Sequence, residues 1–83
     1  MDMVEWVHNN FPGAILMNGY DDCIIGICNR FGQEPIVLYD QNKVIQKLMD
    51  DGMSGEEALE YFEFNQIGAW MGDRTPAFLL KPE

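Results

Sequence analysis

The side chains that could do covalent chemistry are few: one serine (Ser54), one threonine (Thr75), one histidine (His8) and two cysteines, Cys23 and Cys28. A Ser-His-acid triad needs a free hydroxyl beside an imidazole. Ser54 instead opens an S-x-x-E spacing that closes at Glu57, the pattern of a helix capping box, so its hydroxyl is committed to backbone amides. The run CIIGIC gives neither cysteine a cationic neighbour to lower its pKa, so both read as small buried hydrophobes. Zinc is unsupported, because there is no C-x-x-C and only one histidine. Asp21-Asp22 are adjacent carboxylates without EF-hand spacing and read as a solvated turn. Neither a G-x-x-x-x-G-K-[ST] nor a G-x-G-x-x-G loop is present. No catalytic residue, no metal site and no cofactor is expected.

The elements that would carry these residues follow from periodicity. Residues 2–9 make a short N-terminal helix ended by Phe11-Pro12-Gly13. The run 14–17 reads as a strand, followed by a hairpin turn at either Asn18-Gly19 or Tyr20-Asp21-Asp22. Cys23 to Cys28 is apolar on both parities, as expected of a strand covered on both faces or central in its sheet. A turn over 30–34 leads to a third strand, 35–39. Asp40 then caps a helix with Val44, Ile45, Leu48 and Met49 on one stripe, and Gly52 ends it. A second helix begins at Gly55 and runs to about Gly68. Ala58, Leu59, Phe62 and Ala69 share its buried face, Tyr61 and Trp70 lie on the edges, and Asn65 is expected to be buried. The segment 75–80 is a last short strand, and Pro76 puts it at a strand start or a sheet edge. The sum is one small α+β domain, an antiparallel sheet of three to four strands covered on one side by a helical hairpin.

In a single strand, the odd spacing of Cys23 and Cys28 points them to opposite faces, with their Cα atoms roughly 16 Å apart and out of disulfide reach. Two free thiols fit a reducing cytoplasm. The start, Met1-Asp2-Met3-Val4-Glu5, has acids where a signal peptide has bases, and no apolar run approaches the length of a membrane span.

Charge is the strongest anomaly. Fourteen acids against five bases give a net charge of −9, which argues against direct binding to nucleic acid or to an anionic membrane. From Asp50 to Glu63 there are six acids and no base. Glu56 and Glu57 suit the first turn of a helix, whereas Asp50 and Asp51 oppose the dipole at the end of the preceding one. Glu56, Glu60 and Glu63 lie within about 60° of one another and repel at i, i+4 and i, i+3 spacings. Asp50, Asp51, Glu56, Glu60 and Glu63 are therefore candidate docking residues for a basic partner, such as one that occupies a nucleic-acid site. Trp70, between glycines near a helix end, is a candidate apolar anchor as well as a candidate core residue.

GYDDCIIGIC, then VLYD opening a helix, then MSGEEALEYFEFNQIGAWMGDRTPAFL, resemble a group of small acidic proteins encoded by bacteriophages and prophages. The resemblance covers about residues 14–80 and is most specific in EALEYFEFN and in the Gly-aromatic segment leading to TPAF. It implies a phage origin and expression in the bacterial cytoplasm, and it brings no catalytic residues. Phage proteins of this size often inhibit host enzymes or defence systems. The first expectation is thus a small interaction protein that binds and inhibits a host protein, a defence or nucleic-acid-processing factor with a basic surface. The alternatives are a ligand-binding or nucleotide-signal-sequestering module, with a pocket near Tyr20, Asp22, Arg74 and Trp70, and a small enzyme. The oligomeric state is left open.

Overall fold

The computed structural model describes residues 2–67 and 71–82. Helix α1 (Met3–Asn10) is capped by Asp2, whose carboxylate accepts from the amides of Val4 and Glu5, and it buries Val7. A short 3₁₀ turn, Asp21–Cys23, feeds strand β1 (Ile24–Cys28). Strand β2 (Ile36–Asp40), helix α2 (Gln41–Asp50) and helix α3 (Gly55–Phe62) follow. A π-helical turn, Glu63–Ile67, extends α3, and strand β3 (Ala77–Leu79) closes the described order. This is an α+β fold, and the described residues form three α-helices and a three-stranded sheet in the order β1-β2-β3.

The caps that the sequence displays are present. Asp40 accepts from the amides of Asn42 and Lys43 at 3.0 and 3.3 Å. Gly52, at φ +111, ends α2 in a Schellman motif, with the Gly52 amide donating to Met49 O and the Met53 amide to Leu48 O. Ser54 Oγ accepts from the Glu57 amide while Glu57 Oε1 accepts from the Ser54 amide. Ser54→Ala removes one half of this box and is expected to lower stability by about 0.5–2 kcal/mol. A denaturation midpoint indistinguishable from that of the parent would show that the box does not hold α3.

Val44 and Leu48 of α2 and Ala58 and Phe62 of α3 meet Ile24, Val37 and Tyr39 of the sheet in one core. Phe62 stands edge-on to Phe78, with ring centroids 4.8 Å apart. Leu59, 43 % exposed, and Met49, 39 % exposed, leave the buried face assigned to them. At 100° per residue they sit about 80° and 120° from the midpoints of the buried pairs Ala58–Phe62 and Val44–Leu48, at the rim and beyond.

Four expectations about the sheet change. Residues 14–17 form no strand: the Met17 amide donates instead to the buried Tyr39 hydroxyl at 2.7 Å. Asn18-Gly19 does turn the chain, but only Gly19 has positive φ. A type I′ hairpin turn needs it at both central residues, so the chain passes on into the 3₁₀ turn rather than folding back. Strand β1 is an edge strand, and β2 is the central one. The bulge at Ile25, between the pairs Ile24–Tyr39 and Gly26–Leu38, explains the apolar run on both parities. The extra residue returns Ile27 to the core side already occupied by Ile24 and leaves Ile25 exposed. Finally, β3 pairs with β2 in parallel, so the sheet is mixed rather than antiparallel throughout. The helical crossover between the two strands supplies the long connection that a parallel pair requires.

Cys23 and Cys28 are free, the first buried in the 3₁₀ turn and the second half-buried at the end of β1. Simple strand parity therefore does not relate them, since Cys23 precedes the strand and the bulge intervenes.

Candidate functional site

The Ser54 and Thr75 hydroxyls are held in structural roles. Ser54 caps α3, and Thr75 Oγ1 donates to Gly72 O at 2.6 Å while accepting from the Met71 amide. Burial and the neighbouring Asp22 carboxylate both push the Cys23 thiol up, away from a reactive thiolate. His8 is exposed in the last turn of α1. Among the described residues, no group of three or more His, Cys, Asp or Glu could hold a metal ion, and no helix is long and apolar enough to cross a membrane.

The structure divides the acidic run into two unlike parts. Asp50 Oδ1 accepts from the Gln46 side-chain nitrogen Nε2 at 2.9 Å. With Asp51 it lines a cavity of about 530 Å³ together with Asp22, Lys43 and Lys47. Lys47 pairs with Asp22 at 3.0 Å. The hydrogen bond to Asp22 raises the Lys47 pKa, and with the charge of Asp22 and a further rise from Asp51 it outweighs the opposing desolvation. Asp50 and Asp51 therefore have lysines near them, Lys47 and Lys43, one and two turns back along α2.

Glu56, Glu60 and Glu63 have none. All three are exposed, and among the described residues no ion pair involves them. The remaining bases are spent at other places. Lys81 meets Asp40 at 3.1 Å, and Arg74 meets Glu34 at 3.8 Å. Arg30 donates to Gln33 Oε1, Glu34 O and Asp73 O, tying the β1–β2 loop to the turn before β3.

Large apolar side chains stand among these glutamates: Leu59, Tyr61, Phe64 at 75 % exposure, and Ile67. Met53, Glu57, Glu60, Tyr61, Phe64 and Asn65 line a groove of about 340 Å³ along α3 and the π turn. The π turn also corrects the expectation for Asn65. Its wider i→i+5 winding brings Gln66 onto the inner face that α-helical spacing gives to Asn65, so Gln66 is buried and Asn65 exposed. The Asn65 side-chain nitrogen donates to Tyr61 O at 3.2 Å, and among the described residues the buried Gln66 Oε1 has no hydrogen-bond partner.

Phe64 and Met53 went unmarked in the sequence, although Phe64 falls outside the Ala58–Phe62 stripe and could have been flagged for that reason. Trp70 lies outside the described residues. Tyr20, Asp22 and Arg74 do not form one pocket. Asp22 precedes the end of β1 that pairs with Tyr39, whereas Arg74 meets Glu34, just before the opposite end of β2. Comparison with known protein families, characterised proteins and solved structures found no match.

Proposed function

We propose that this protein is an interaction module that docks through the outer face of α3 and its π turn onto a basic surface of a partner protein. In the phage setting that the resemblance implies, the partner is a host defence or nucleic-acid-processing factor in the bacterial cytoplasm. Covering its basic surface excludes the anionic ligand that the surface normally holds, and this is the inhibition. One observation carries the reading: uncompensated Glu56, Glu60 and Glu63 alternate with exposed Leu59, Phe64 and Ile67. A face that serves only solubility has reason to be charged but none to present Phe64 to water. Apolar anchors ringed by one sign of charge are what a partner of the opposite sign uses, the charges steering approach and the anchors holding. Asp50 and Asp51 extend the negative potential but, with Lys43 and Lys47 beside them, contribute less.

The test is capture from bacterial lysate with the intact protein beside its Phe64→Ala and Glu60→Gln/Glu63→Gln variants. A basic protein retained by the parent, released by moderate salt and lost by both variants supports the reading. Equal retention by all three baits would sink it.

A further inference from the structure

Every charged group that lines the α3 groove is a hydrogen-bond acceptor. Glu57 keeps one carboxylate oxygen free, since Oε1 is taken by the Ser54 amide. Among the described residues no ion pair engages Glu60, and Asn65 spends its nitrogen on Tyr61 O, leaving its amide oxygen. Beside them stand the exposed rings of Tyr61 and Phe64 and the thioether chain of Met53. Acceptors on one side, aromatic faces on another and an apolar wall for a stem suit a cationic side chain. Between the two candidates, guanidinium is planar, stacks on rings and carries five donors in a fixed fork. Ammonium is a compact, strongly hydrated charge with three donors that gives up water reluctantly.

We propose that the groove lined by Met53, Glu57, Glu60, Tyr61, Phe64 and Asn65 is a receptor for an arginine side chain of the partner. The inference rests on the docking reading above and names the residue that reading requires. Glu57 serves twice, capping α3 through one oxygen and facing the groove with its carboxylate, which the Ser54 hydrogen bonds keep ionised by lowering its pKa. Phe64 and Tyr61 clasp the guanidinium plane, and Glu60 neutralises it.

The experiment titrates N-acetylarginine N-methylamide into the intact protein and follows the Met53 methyl and the Tyr61 and Phe64 ring resonances by NMR. The neutral isostere N-acetylcitrulline N-methylamide and the lysine analogue run in parallel. Saturable shifts confined to these three residues are expected, with arginine bound at least about tenfold more tightly than citrulline and several-fold more tightly than lysine. Glu60→Gln and Phe64→Ala should each weaken binding several-fold, while Glu5→Gln, exposed on α1 and outside the groove, should not. Citrulline binding as well as arginine, or shifts spread over surface carboxylates, would overturn the proposal. Should the groove stay silent while partner capture still requires Glu60 and Phe64, the arginine receptor falls and the docking face stands.

Discussion

Converting Glu56, Glu60 and Glu63 to glutamine should cut association with the partner by about a hundredfold or more at low salt while leaving the fold intact. Three negative charges vanish with almost no change of shape, and steering by opposite charge acts first on the association rate. The folded state should hold its denaturation midpoint. Repulsion between Glu56 and Glu60 and between Glu60 and Glu63 is relieved, which offsets the small dipole benefit lost at Glu56 in the first turn. The companion variant Asp50→Asn/Asp51→Asn should lose less than about tenfold, because lysines near that pair already damp its field. Binding kinetics across a salt series distinguish the two variants. If the aspartate pair proves the more damaging, the docking face lies at the end of α2 and not on α3.

The second large effect concerns Asp40, where the end of the central strand becomes a helix cap. Its side chain is nearly buried, accepts two amides at the start of α2 and meets Lys81 Nζ at 3.1 Å. Desolvation pushes its pKa up, but the Lys81 hydrogen bond and charge together with the two amides outweigh it, and the net shift is below the ordinary 3.8. Folded Asp40 thus releases its proton more readily than it does in the unfolded chain. Its contribution to stability is complete well above pH 3.8 and is lost as pH falls through and below that value. Asp40→Ala should cost about 2 kcal/mol at neutral pH, through loss of the cap and of a charge-assisted bond. Asp40→Asn keeps the cap and should cost less, with a visibly shallower loss of stability on acidification. Denaturant midpoints between pH 3 and 7 measure both. A slope unchanged in Asp40→Asn would mean that Asp40 is not a source of the acid sensitivity.

The legible parts of this fold were those governed by neighbours within four or five residues. Asp40, Gly52 and the Ser54–Glu57 box announce themselves because a cap acts on amides two or three positions away. What could not be read depends on contacts between distant segments. The segment 14–17 has the composition of a strand, yet its backbone is claimed by the Tyr39 hydroxyl, 22 residues away from Met17. The bulge at Ile25 is set by the register of β2, and the parallel direction of β3 by the path of the whole helical crossover. The site shows the same division. Glu56, Glu60 and Glu63 are legible by helical spacing, and so are Lys47 and Asp51, four residues apart on α2 and its cap, whereas the pairing of Lys47 with Asp22, 25 residues away, is not. Local spacing also hid the π turn, and with it the exchange of Asn65 for Gln66 on the inner face.

Phe31 supplies the sharpest rival surface, since it is fully exposed at the tip of the β1–β2 loop, at the end of the sheet where Arg74 meets Glu34. Hydrogen–deuterium exchange on the captured complex, compared with the free protein, decides between the two faces. The expected result is slowed exchange over residues 55–67, with 29–35 unchanged, and loss of that protection in the Glu56→Gln/Glu60→Gln/Glu63→Gln variant. Protection confined to 29–35, with α3 and its π turn exchanging as in the free protein, would contradict docking through the acidic helix.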